Sequence, residues 1–279
     1  ILNNEKIYII KNGFIIKTKC LLSKYKDEDC LYKGTLLLNN IQKAQNGKKK
    51  YNINFLTGKG ALYLRKGSKF EGNFIKGELN GWCRYISTKV VCYEGLFING
   101  VLNGKGEIIK IDEKRRMHFY KGDIINFKKE GKGIEKTNDF NYEGDFKNDI
   151  KHGKGKINYN SGDCYEGEFF NDGITGKGFY KWNNKHTYLG DFIEGKMHGK
   201  GLYKWPDGNE YEGEYINNVK EGKGEFRWKD GRVYNGAFEN GRPHGKGLLT
   251  VKGITFNAVF DKGRYLGDIN ALIASRSNP

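Results

Sequence analysis

The sequence predicts an all-β repeat fold, a solenoid of β-hairpins stacked edge to edge. A fixed period, an alternation of residue types within each period, and turn signals between periods carry the prediction. The period is legible in YEGDFKNDIKHGKGKINY from Tyr142, YEGEFFNDGITGKGFYKW from Tyr165, YLGDFIEGKMHGKGLYKW from Tyr188, YEGEYINNVKEGKGEFRW from Tyr211 and YNGAFENGRPHGKGLLTV from Tyr234. Successive starts are 23 residues apart, a spacing that marks units stacking on one another.

The alternation makes each unit a hairpin. Tyr211, Gly213 and Tyr215 share one face of a first strand, and Gly222, Gly224, Phe226 and Trp228 share one face of a second. The polar stretch Asn217–Glu221 reads as the hairpin connection, and the Asp230-Gly231 pair as the turn into the next unit. Glycine weakens a strand interior, so its recurrence on the aromatic face marks room left for a ring. The other face carries charge. Two registers bring acids to bases within a hairpin: Glu168 opposite Lys177 and Glu214 opposite Lys223, or Glu166 opposite Lys181 and Glu212 opposite Arg227.

The pattern decays toward both ends. FEGNFIKGELNGWCRY from Phe70, YEGLFINGVLNGKGEI from Tyr93 and YKGDIINFKKEGKGIE from Tyr120 keep it, with an insertion within Lys110–His118. YNINFLTGKGALYL from Tyr51 and YKG at Tyr32 are weaker, and FNAVFDKGRYLGD from Phe256 reads as a truncated last unit. Four regions are expected: degenerate hairpins or a cap over 1–50, irregular basic repeats over 51–141, regular repeats over 142–256, and a truncated repeat with a cap over 257–279. Asp268 can cap a short C-terminal helix with Ile269, Leu272 and Ile273 on one face, covering the last sheet edge; dimerisation through that edge is the competing arrangement. About ten hairpins at about 10 Å each give a rod of ~100 Å.

Units of the form Tyr-Glu-Gly-acid-Phe, a short connection and Gly-Lys-Gly resemble MORN repeats (membrane occupation and recognition nexus) over roughly residues 51–266 and weakly over 32–50. The resemblance implies an elongated, twisted antiparallel sheet of about 9–10 repeats. It also implies roles in scaffolding, assembly and targeting at membranes or cytoskeletal structures, with self-association in some members and an attached kinase or methyltransferase domain in others. Lys121, Leu189 and Asn235 replace the usual Glu, and NGWCR at 80–84 replaces HGKGK, so one ligand site does not repeat along the whole chain.

Composition and motifs point away from catalysis. There are 40 glycines against three prolines without a Gly-x-y triplet, and aromatics at 14% are too many for disorder. No apolar run approaches the ~20 residues of a membrane span. The N-terminal stretch does not read as a signal peptide, and Asn12-Gly13 reads as a hairpin turn; beginning at Ile1 fits a piece of a longer chain. Five cysteines without a C-x-x-C fit a reduced, cytoplasmic setting. The Gly-Lys-Gly motifs lack the rest of a phosphate loop. His152, His198 and His244 are two units apart, about 19 Å at the usual strand spacing, too far to share a metal. Serines lack a nucleophile-elbow context. No catalytic residue, metal or cofactor is expected.

Two candidate surfaces remain. The aromatic pairs Tyr180 and Trp182, Tyr203 and Trp205, Phe226 and Trp228 read either as packing within the sheet or as a groove for a partner peptide or helix. Charge is uneven: residues 1–141 hold 28 basic and 14 acidic side chains, net +14, out of +16 for the chain. Lys48, Lys49, Lys50, Arg65, Lys66, Lys69, Lys114, Arg115 and Arg116 form the basic clusters, read as solvated loop tips or as a surface for acidic partners. A protein partner leads, an anionic membrane follows, and nucleic acid comes last for want of any known binding motif. The functional expectation is a non-catalytic scaffold. A phospholipid-binding adaptor or the regulatory segment of a larger enzyme is the alternative.

Overall fold

The computed structural model describes residues 8–10, 13–20, 28–36, 56–64, 66–89 and 91–267, with only the backbone before residue 57. Every element among them is a β-strand. The chain divides into two compact units, residues 1–138 with 146–149 and residues 139–145 with 150–279.

The first unit holds β1 (Tyr8–Ile10), β2 (Gly13–Cys20), β3 (Glu28–Leu36), β4 (Leu56–Leu64), β5 (Lys69–Ile75), β6 (Glu78–Leu79), β7 (Gly81–Ile86), β8 (Val91–Ile98), β9 (Val101–Ile111), β10 (Met117–Ile125) and β11 (Lys128–Lys136). The strand β12 (Phe140–Lys147) is divided between the units. The second unit continues with β13 (Ile150–Tyr159), β14 (Cys164–Phe170), β15 (Gly173–Lys181), β16 (Thr187–Ile193), β17 (Lys196–Lys204), β18 (Glu210–Ile216), β19 (Val219–Arg227), β20 (Val233–Glu239), β21 (Arg242–Val251), β22 (Ile254–Asp261) and β23 (Arg264–Tyr265). Within each unit, strands adjacent in sequence pair antiparallel, except that β6 and β7 both pair with β5. The fold is the expected all-β stack of hairpins. At its start, Ile10 pairs with Gly13. The proposed helix at Asp268 lies outside the described residues.

The hairpin connection is shorter than its polar composition suggests. Ile216 pairs with Val219, leaving Asn217 and Asn218 as the whole turn, both at positive φ (48° and 73°). Two left-handed residues make a type I′ turn, whose twist matches that of the strands it joins. Asn171-Asp172, Glu194-Gly195 and Asn240-Gly241 repeat it. The second strand ends at Arg227, so Trp228 stands in the following turn; its N–H donates to the Arg232 carbonyl at 2.9 Å.

A bulge decides the register. Pairing between β14 and β15 shifts between Gly167 and Glu168, which sets Glu168 opposite Thr175 and Glu166 opposite Phe179. Neither expected acid–base register forms. Opposite charges face each other between hairpins, where Lys154 faces Glu168, Lys177 faces Asp191 and Lys200 faces Glu214, and within one hairpin Arg227 lies opposite Glu210 and reaches Glu212 diagonally at 3.6 Å. The acid after the Tyr-x-Gly triplet has a second task. Asp145 accepts the Lys154 N–H at 3.0 Å and Asp191 accepts the Lys200 N–H at 3.2 Å, holding the strand where the first glycine of Gly-Lys-Gly turns left-handed.

The core of the second unit is a row of rings on the sheet's own backbone. Tyr165, Tyr188, Tyr211 and Tyr234 are fully buried. Each ring lies over two paired glycines: a methyl group on Gly224 would come within 2.6 Å of Tyr211 Cε2, so no larger residue fits beneath the ring. The hydroxyl of Tyr188 donates to the Asp191 carbonyl at 3.0 Å, and that of Tyr211 to the Glu214 carbonyl at 3.1 Å. The rings interlock edge to face, Tyr188 against Phe192 of its own repeat at 5.0 Å and against Tyr215 of the next repeat at 5.3 Å. Such contacts add about 0.5–1.5 kcal/mol beyond area burial.

Candidate aromatic interaction face

Beside that row, nearer one rim, the second unit carries a track of half-buried rings. The contacts run Tyr180–Trp182 at 4.5 Å, Trp182–Tyr203 at 5.6 Å, Tyr203–Trp205 at 4.5 Å, Trp205–Phe226 at 5.5 Å and Phe226–Trp228 at 4.8 Å. All six candidate aromatics therefore join one line of contacts. Tyrosine and phenylalanine come from strand ends, and tryptophan from the turns that follow. Burial pushes the Tyr180 phenol up to about 12 and raises that of Tyr203. The Tyr203 hydroxyl meets His186 Nδ1 at 2.8 Å.

Sequence reading missed the cations on this face. Lys220 Nζ lies 5.1 Å from the ring centres of Trp205 and Phe226 and 5.4 Å from that of Tyr211. Burial lowers its pKa. Arg232 covers Trp228 at 5.0 Å. Lys151, at the equivalent strand position, covers Phe140 at 4.6 Å. The signal was the spacing: Lys151 and Lys220 each fall nine residues after their repeat's first tyrosine, on the ring face.

The basic candidates fall differently. Lys48, Lys49, Lys50 and Arg65 lie outside the described residues. Lys66 and Lys69 flank the turn from β4 to β5, where Lys69 pairs with Glu71 and lies 5.2 Å over Tyr63. Lys114, Arg115 and Arg116 belong to the turn from β9 to β10. Arg116 binds Asp112 through Nε at 2.8 Å, and its N–H to the same carboxylate contributes most to holding that carboxyl down at about 2. In an antiparallel stack alternate turns share a rim, so both basic turns lie on one rim of the first unit.

Among the described residues no group of three or more His, Cys, Asp or Glu side chains could hold a metal. His152 packs on Phe170, and His244 meets Glu239 at 3.2 Å. Cys83, Cys92 and Cys164 are free thiols, and no helix among the described residues is long and apolar enough to cross a membrane.

The MORN repeat family matches six segments, residues 93–112, 142–164, 165–187, 188–210, 211–231 and 234–250. This is a MORN-repeat chain. The matched segments begin at Tyr93 and at the five tyrosines of the 23-residue period. Among solved structures, the chain is similar to the SAS-4 (dCPAP) TCP domain in complex with a proline-rich motif of Ana2 (dSTIL) of Drosophila melanogaster. That likeness has 10% identity and a TM-score of 0.18, covering 80% of this chain and 97% of that one. No curated protein matches.

Proposed function

We propose that this MORN-repeat chain is a non-catalytic scaffold that holds a protein partner on its aromatic face within a cytoskeletal or membrane-associated assembly. The observation that carries this reading is the track from Tyr180 to Trp228 with the Lys220 ammonium set among its rings. Aromatic rings with a cation offer apolar area and a handle for a carboxylate, the chemistry enriched in interface cores. The periodic acids and lysines that a catalytic reading would recruit hold bulges and join repeats instead.

The test is photo-crosslinking from the Phe226 position in cells, with wild type compared against Lys220→Met, which keeps the volume and removes the charge. Loss of one crosslinked protein in the variant supports the reading, and an unchanged pattern refutes it. A second reading, an adaptor for anionic phospholipid, draws on the net +14 of residues 1–141. Sedimentation with phosphatidylserine vesicles separates the two.

A further inference from the structure

The repeat that starts at Phe70 differs from the regular ones at one rim position. Ser87 donates its N–H to the Val91 carbonyl at 2.8 Å. Trp182, Trp205 and Trp228 make the same bond to His186, Asn209 and Arg232 at 3.0, 2.9 and 2.9 Å. Ser87 therefore stands where three other repeats hold an indole. Each of those indoles rests on the ring two residues earlier, at 4.5, 4.5 and 4.8 Å. The ring two residues before Ser87 is Tyr85.

Beside Tyr85 and Ser87 the first unit has a cavity of about 720 Å³, lined by Phe70, Tyr85, Ser87, Lys89, Tyr93 and Phe127 among others. That volume suits a specific ligand group. Its rings are ordered: Phe70, Tyr85 and Tyr93 stack at 4.6 and 5.7 Å, within 9° of parallel. Phe127 closes the other side, edge-on to Tyr93 at 5.2 Å. It does so at a φ of 63°, in a turn position where other repeats hold Asp149, Asp172, Gly195, Asn218 and Gly241. A bulky residue held left-handed is strained, and such strain gathers at functional sites.

The rim beside the cavity is basic. Its turns carry Lys66, Lys89, Lys114, Arg115 and Arg116 against Asp112 and Glu113, and Arg116 neutralises Asp112. Glu78 lies among the cavity's lining residues.

We infer that this cavity receives an aromatic side chain presented by an acidic segment of a partner protein, filling the place that tryptophan fills from within in the regular repeats. The inference rests on the scaffold reading and adds a site remote in sequence from the Tyr180–Trp228 track.

The probe is a fluorescein-labelled peptide with one tryptophan between two pairs of aspartates, titrated by anisotropy into the full chain. Its control has alanine for tryptophan. The control should bind about thirtyfold more weakly or worse, as when an anchoring aromatic leaves its pocket. Ser87→Trp should fill the cavity from inside, abolish probe binding and leave the melting temperature unchanged or higher. Phe127→Gly keeps the turn, because glycine takes positive φ freely, and should weaken the probe several-fold. Equal binding of probe and control, or full affinity in Ser87→Trp, overturns the site. If the probe fails while Lys220→Met still loses the crosslinked partner, the site falls and the scaffold reading stands. If the site holds but Lys220→Met changes nothing, the partner track is misplaced and the cavity stays.

Discussion

Asn218 and Met197 exchange two hydrogen bonds across neighbouring repeats. The Asn218 N–H donates to the Met197 carbonyl at 2.9 Å, and the Met197 N–H donates to Asn218 Oδ1 at 2.8 Å. Asp172 and Lys151 do the same at 3.0 and 2.9 Å. The turn thus serves its own hairpin and latches the one before. Where glycine holds the position, only the backbone half survives, as from Gly195 to Ile174 at 2.9 Å. Asn218→Gly should therefore cost about 0.5–1.5 kcal/mol, one hydrogen bond. Asn218→Ala should cost about 1–2 kcal/mol more, because alanine resists a φ of 73°. Hydrogen exchange at the Met197 amide reports both, and equal acceleration in the two variants would contradict the turn's part in the latch.

The ring-on-glycine packing makes a coupled prediction. Gly224→Ala should destabilise by about 1–3 kcal/mol, since the added methyl meets the Tyr211 ring. Tyr211→Ala alone should cost about 3–5 kcal/mol. In the double variant the alanine at 224 should cost little, because nothing remains above it. Denaturant unfolding of the four proteins measures the coupling, and simple additivity refutes the arrangement.

Legibility divides along the same lines. The Tyr-x-Gly spacing and the 23-residue period are local patterns, so the hairpin stack and its aromatic face could be read directly. The turn could not, because Lys220 and Glu221 look like loop residues. Lys220 is a strand residue whose charged end lies over rings. The bulge at Gly167 was also hidden: it follows from backbone handedness, and it undid both acid–base registers at once. The tryptophan track was legible as residues but not as a connected line, since its contacts alternate between strand and turn. The cavity at Ser87 was illegible, because its mark is the absence of an indole at a position defined only by a backbone hydrogen bond.

Lys220 should titrate below the ordinary lysine value, because burial disfavours its charged form. A folded-state pKa below the unfolded one means that the folded protein binds fewer protons between the two values. Stability should rise with pH across that window, up to about pH 10. Lys220→Met should lack this gain. Urea midpoints at rising pH for both proteins measure the difference, with the shared tyrosine contributions cancelling. Parallel curves would mean that Lys220 is solvated.

Asp112 follows the same sign in the acidic range, because its charged form is favoured rather than disfavoured on folding. Its carboxyl, held at about 2 chiefly by the Arg116 N–H, is depressed in the folded protein. The ordering of the 112–116 turn should be complete above about pH 4, the unfolded carboxylate range, and fade as pH falls toward 2. Asp112→Asn should remove that dependence. Amide shifts of Arg115 and Arg116 followed by NMR report the transition, and a midpoint near 4 would show that the turn does not hold the carboxylate.

The last prediction separates the rim from the repeat lysines. Lys66, Lys114 and Arg115 stand on rim turns, whereas Lys177 and Lys200 lie opposite Asp191 and Glu214 of the next hairpin. Changing the three rim residues to Glu should abolish binding to phosphatidylserine vesicles if the lipid reading holds. Changing Lys177 and Lys200 to Glu should instead set acid against acid between hairpins and lower stability first. Salt distinguishes the two, because the Debye length shrinks from ~10 Å at 0.1 M to ~3 Å at 1 M. Vesicle binding through exposed rim charges should disappear at high salt, while the repeat-lysine variant should regain stability as its new repulsion is screened. Equal loss of vesicle binding in both variants at matched stability would mean that net charge alone drives adsorption, leaving the rim without a role of its own.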